Sequence, residues 1–260
     1  FINGLELYDF DIQEIPKLVS PLFQKIGVVS LAGTSDVGKS TILRQLALSV
    51  ALDRPDWLGF PLDLKHKRVI YVSTEDDKYS VSIALKKQLK ELAFDEAQEK
   101  ELLNNISFIF QQEKLLDPLK KQVKTNPVDL IIIDAFTDVF TKEINSSTEV
   151  RKFLSQYHKL ALANECLIIF LHHTGKRTQN QKASKDNLLG SQAFEAKMRC
   201  VLELRVDKTD KELRHLCILK GNYLSYKEKS KSYVLQFNED SLFLYFFLVA
   251  STLPIFILNN

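Results

Sequence analysis

Glycine is scarce in this chain, with eight in 260 residues, under half the usual share of roughly 7%. A chain so sparing places glycine mainly where the backbone demands it, and Gly33 and Gly38 fall within one six-residue stretch. Cysteine is also sparse. Cys166, Cys200 and Cys217 lie far apart in apolar, strand-like stretches; that spacing excludes a cysteine metal site and reads as reduced core thiol in a cytoplasmic protein. A dominant charge sign is missing too. With 35 basic and 33 acidic residues, net +2, the surface as a whole is no polyanion binder, and any nucleic acid must meet a local basic patch. The start carries no signal peptide, and Phe1 in place of Met points to a trimmed or partial chain. Hydrophobic residues at 45% and charged residues at 26% exclude global disorder. They fit one large domain, or a domain with a small appendage.

What is present alternates. Apolar runs at 28–32, 69–72, 106–110, 130–133 and 167–171 read as strands. Helical patterns follow at 39–52, 77–92, 117–124 and 148–164. Continuous Val/Ile/Leu runs imply strands buried on both faces, hence an α/β fold with a mostly parallel central sheet flanked by helices. After Gly190 the rhythm changes. Runs at 200–206, 213–220, 233–237 and 242–247, joined by short polar links, predict a C-terminal antiparallel extension at the sheet edge. The division expected is one main domain over 1–240 and an apolar strand and tail over 241–260. The last 20 residues carry no charge, which raises a membrane anchor. Ser251, Thr252 and Pro254 interrupt the run, so a final hairpin plus an irregular tail is the preferred reading.

Gly33-Thr34-Ser35-Asp36-Val37-Gly38-Lys39-Ser40-Thr41 matches G-x-x-x-x-G-K-[S/T], with a strand before it and a helix after. The glycines let successive backbone N–H groups turn inward around a phosphate, and the following helix offers its unpaired N–H groups and positive dipole end. Lys39 neutralises β/γ-phosphate charge and the Ser40 hydroxyl completes a Mg²⁺ shell. ATP and Mg²⁺ are therefore the expected ligands.

Asp134 closes the fourth apolar strand and emerges where ligands sit in open α/β folds, able to hold Mg²⁺ through water. Glu75 closes the second strand and is placed to orient and deprotonate an attacking water. Asp76 and Asp77 better suit an acidic first helical turn. His172 and His173 close the fifth strand, where a hydrogen-bonding sensor of the terminal phosphate fits better than a zinc site.

With these residues in view, the chain resembles the RecA-like hexameric P-loop ATPases of the RepA plasmid-helicase type, with KaiC and RadA as more distant relatives. The likeness spans about residues 15–237. It rests on Leu31 through Ser40, Trp57-Leu58-Gly59, Tyr71 through Asp76, Asp129 to Asp134, His172 through Lys176, Gly190-Ser191 and Lys220-Gly221-Asn222. The resemblance implies a RecA-like core assembled into a ring, with ATP between subunits. It implies that Glu75 activates water, that His173 or His172 is the sensor, and that Lys220 reaches a neighbour's γ-phosphate. Relatives with a lysine-x-arginine pair have arginine where Asn222 stands here, so a second cation is missing. Arg199 matches a recurrent arginine whose role stays open. The segment carrying Lys176, Arg177, Lys182 and Lys185 corresponds to a loop that touches single-stranded nucleic acid in the family. From its residues alone it is either a cationic loop tracking phosphates or a solvated loop.

Three functions are weighed on these grounds. The first is a hexameric ATPase translocating on single-stranded DNA, and the second an ATPase switch acting on a protein partner. The third is a small-molecule phosphotransferase, which lacks an evident arginine-rich lid.

Overall fold

The structure, a computed structural model, describes residues 1–92, 96–110, 114–175, 183–184, 188 and 192–247. Along the chain run α1 (Gly4–Tyr8), β1 (Lys17–Val19), β2 (Phe23–Gln24), β3 (Gly27–Gly33) and α2 (Lys39–Ala51). A short hairpin, β4 (Asp56–Trp57) and β5 (Phe60–Pro61), precedes β6 (Val69–Ser73). Then come α3 (Lys78–Leu92), α4 (Glu96–Leu103), β7 (Ile106–Phe110), α5 (Leu116–Thr125) and β8 (Leu130–Asp134). They are followed by α6 (Phe136–Val139), α7 (Ser147–Ala163), β9 (Leu167–His173) and α8 (Gln192–Lys197). The last part holds β10 (Cys200–Val206), β11 (Leu213–Gly221), α9 (Tyr226–Lys229), β12 (Ser232–Asn238) and β13 (Phe243–Phe246).

One nine-stranded sheet organises the molecule, in the order β13-β12-β11-β10-β3-β9-β8-β6-β7. The six strands from β10 to β7 pair in parallel, and β11 to β13 add antiparallel ladders at one side. The expected α/β architecture holds, with one correction. The 200–206 run belongs to the parallel core, because β10 pairs in parallel with β3, and the antiparallel extension begins only at β11. Its flanking turns look like hairpin links, but its partner on the inner side is Ser30 to Ala32 of β3, far upstream, where no local pattern points.

Alternate residues of the continuous apolar strands feed two cores, one on each face. Leu31, Ile132, Leu171 and Leu202 pack with Ile42, Leu43 and Leu46 of α2 on one face. Ile131, Ile133, Phe170 and Val201 pack with Leu154, Tyr157 and Phe194 on the other. A strand buried on both sides must be apolar throughout, so a polar residue at its end is conspicuous.

The C-terminal extension is tied to the phosphate-loop helix. Buried Gln45 of α2 donates from Nε2 to the Leu244 carbonyl (2.9 Å) and accepts from the Leu244 N–H (3.0 Å). Its amide thus acts as one more rung on the outer edge of β13. Among the described residues no helix is long and apolar enough to cross a membrane. Residues 248–260 of the expected apolar tail lie outside the described residues.

Candidate functional site

The carboxyl ends of β3, β6, β8 and β9 form one edge of the sheet, and this edge collects most of the singled-out residues. The loop Gly33 to Gly38 leaves β3, and α2 begins at Lys39. Gly38 caps α2 with φ 96°, a left-handed conformation that suits glycine. A Cβ on Gly33 would lie 2.6 Å from the Leu204 carbonyl oxygen, so close backbone approach requires glycine there. Thr34, Ser35, Asp36 and Val37 span the turn, with Asp36 at φ 61°.

Lys39 is buried (5% exposed), and its ammonium donates to the Thr34 carbonyl at 2.6 Å. Burial lowers its pKa, while Asp134, Glu75 and Asp36 pull in the opposite direction. The two acids from neighbouring strands therefore act electrostatically on the ammonium of the phosphate loop.

Asp134 (3% exposed) shares a face of the sheet with Tyr71, one strand away. The Tyr71 hydroxyl donates to Asp134 Oδ2 at 2.8 Å. Burial raises the Asp134 pKa, against a lowering from the neighbouring Ser40 and Tyr71 hydroxyls. Although Ser40 is close enough to favour the ionised form, Oδ1 has no hydrogen bond of acceptable geometry. A buried carboxylate oxygen left without a donor, beside the Ser40 hydroxyl, is a pair of hard oxygen ligands that fits Mg²⁺.

Glu75 meets His173. The His173 Nε2 and Glu75 Oε1 atoms lie 2.9 Å apart, with side chains 21% and 44% exposed. His172 points to the other face, buried against Phe194 (ring centroids 4.3 Å) and Phe136 (5.3 Å). Strand alternation thus separates the two histidines, and His173 is the one at the site. Asp77 takes the helix-start role, its Oδ1 accepting from the N–H groups of Tyr79 and Ser80 (both 2.8 Å). Asp76 pairs with buried Arg44 at 3.5 Å.

Three other residues tie this edge together. Thr74 Oγ1 lies 2.8 Å from the Asp134 carbonyl and 2.6 Å from Asp138 Oδ2, and it accepts from the Ala135 N–H at 2.9 Å. The Thr174 N–H donates to the Gly33 carbonyl at 3.1 Å, joining the end of β9 to the phosphate loop. Arg214, 5% exposed, donates from Nε to the Val37 carbonyl at 3.0 Å and lies over the Phe237 ring.

Lys220 stands apart. It is near the far end of β11 from Arg214, about 20 Å along the strand at roughly 3.4 Å per residue. There it donates to the Glu195 carbonyl (2.8 Å) and pairs with Glu195 Oε1 (3.1 Å) of its own chain. Arg199, at the start of β10, donates its N–H to the Val28 carbonyl and accepts from Asn222. Lys176, Arg177, Lys182 and Lys185 lie outside the described residues.

A family model for the AAA domain matches residues 5–179, more than half of the chain. This chain belongs to the AAA domain family. The match takes in the phosphate loop, Glu75, Asp134 and His173 and stops before Lys220. The P-loop ATPase type of the family agrees with the edge chemistry above. No curated protein matches the chain.

The sequence pattern passes over Tyr71, which looks like one more apolar strand residue. Its phenol fixes one Asp134 oxygen and leaves the other available. Tyr71→Phe is expected to cost about 1–3 kcal/mol of stability through the unsatisfied carboxylate. It should also raise the Mg²⁺ concentration needed for nucleotide binding. Thermal denaturation and nucleotide titrations at several Mg²⁺ concentrations check both effects.

Proposed function

We propose that this P-loop ATPase forms a ring, most simply a hexamer, that couples ATP hydrolysis to movement along single-stranded DNA. The observation that carries this reading is the junction at the end of β9. His173 touches Glu75, and Lys176, the first cation of the basic segment, follows only three residues later in the chain. A change at the hydrolytic acid has a short covalent path to residues suited to phosphates of a nucleic acid strand.

In this reading Lys39 and the inward N–H groups of the phosphate loop hold the β- and γ-phosphates, and Ser40 and Asp134 hold Mg²⁺. Mg²⁺, when bound, offsets negative charge on the phosphates. Glu75 accepts a proton from the attacking water and aims it at the γ-phosphorus, while His173 hydrogen-bonds Glu75 and senses the terminal phosphate. Lys220 stands near the opposite end of β11 from Arg214, which touches the phosphate loop of its own chain, and this position supports a role toward a neighbouring subunit. Lys220 must leave Glu195 to take that role.

ATP turnover measured with and without single-stranded DNA tests the reading. Stimulation by DNA is expected, and Lys182→Ala with Lys185→Ala is expected to remove it. Stimulation that survives those changes would favour a switch acting on a protein partner.

A further inference from the structure

Residues 1–15 form an arm of which no residue is buried. The helix α1 is properly made, with Asn3 and Glu6 in a reciprocal capping arrangement, yet none of its residues is buried. Leu5 is 68% exposed and Tyr8 86%, and Leu7, Phe10 and Ile12 are also exposed. Such a run of exposed apolar residues marks a contact surface. The arm also has one charge sign, for Glu6, Asp9, Asp11 and Glu14 are interleaved with the apolar residues and no Lys or Arg occurs before Lys17.

A surface of matching character lies on α3. Its inner face buries Val81, Ala84, Gln88 and Leu89. Its outer face carries Tyr79 (68% exposed) and Ile83 (60%). Exposed Lys86, Lys87 and Lys90 continue the same helical stripe. Two exposed apolar residues followed by three lysines complement an apolar arm with four acids.

The two surfaces do not cover one another within one copy, for no residue of α1 is buried and Tyr79 and Ile83 remain exposed. The arm is rooted at the amino edge of the sheet. There Ile15 shares a small cavity with Arg199, Gly221 and Tyr223, and Gly221 pairs with Cys200 at the start of β10. By contrast α3 starts at the carboxyl edge after β6, four strands from β10, about 19 Å across the sheet at the usual strand spacing.

We propose that residues 1–15 of one copy seat on the outer face of α3 of a second copy, with the acids of the arm against Lys86, Lys87 and Lys90. The contact uses different surfaces on the two copies, so it is head-to-tail and generates a ring or a filament. It rests on the ring reading above for self-association and adds the surfaces that make it. It also has a consequence for the site. Because α3 begins three residues after Glu75, capped by Asp77, the neighbour's arm lies against the helix that carries the hydrolytic acid's loop.

Sedimentation velocity over a range of protein concentrations, at low and high salt, tests the contact. The unchanged protein is expected to assemble, and more weakly at high salt. Lys86→Glu with Lys87→Glu, and separately Asp9→Lys with Asp11→Lys, should each weaken assembly at least about tenfold through like-charge contacts. All four changes in one chain should restore it, since every arm then meets a complementary helix; this recovery also shows that neither pair merely unfolds the protein. Assembly unaffected by either pair, or no recovery in the combined variant, overturns the α3 contact and leaves the ring reading standing. An unchanged protein that stays monomeric overturns both.

Discussion

Glu75→Gln is expected to keep ATP binding and lose turnover by about 100- to 10,000-fold, the range that a positioned general base contributes. The substitution preserves shape and a hydrogen bond to His173, now 2.9 Å from the carboxylate, so the edge of the sheet should not rearrange. Only the basicity is removed. Steady-state turnover together with a nucleotide titration separates the two effects, because an intact dissociation constant with collapsed kcat marks an interaction made in the transition state. Normal turnover in this variant would remove Glu75 from the chemistry.

Replacing Lys39 by Met should act on binding and on stability in opposite directions. Loss of one charge-assisted hydrogen bond to phosphate is worth about 1.5–3 kcal/mol, or roughly 10- to 150-fold in affinity. Stability should move the other way. Burial lowers the Lys39 pKa below its ordinary 10.5, outweighing the attraction of Asp134, Glu75 and Asp36. A lowered pKa means that the unfolded chain binds this proton more tightly than the folded one. The group therefore adds stability only as pH rises through its folded pKa toward 10.5, and at neutral pH the buried charge is a cost. Met fills the space without that charge, so the melting temperature of the ligand-free protein should rise. Unchanged protein should gain about 2.7 kcal/mol from ATP at a hundred times its dissociation constant, and the variant at that concentration much less. Thermal melts with and without ATP and Mg²⁺ measure both.

The residues of this edge were legible in the sequence for one physical reason. A strand buried on both faces is apolar throughout, so Asp134, Glu75 and His173 stand out by ending such runs, and parallel pairing brings those ends to one edge. Glycine scarcity made the phosphate loop stand out equally. Local pattern carried less where the answer depends on distant partners. Nothing near Tyr71 reveals that its hydroxyl meets an acid 63 residues further on. The choice between His172 and His173 needed the strand's orientation against α2, which only packing settles. In the same way β10 reads as part of a hairpin series until β3 is seen beside it. The partner of Lys220, Glu195, sits on the short helix α8, away from any motif.

The most direct measurement is a crystal structure of the Glu75→Gln protein with ATP and Mg²⁺. The γ-phosphate should lie within hydrogen-bonding distance of Lys39, about 3 Å, with Ser40 and Asp134 around the metal. Residue 75 should hold a water in line with the γ-phosphorus. A triphosphate bound elsewhere, or residue 75 with no water between it and the phosphate, would contradict the account.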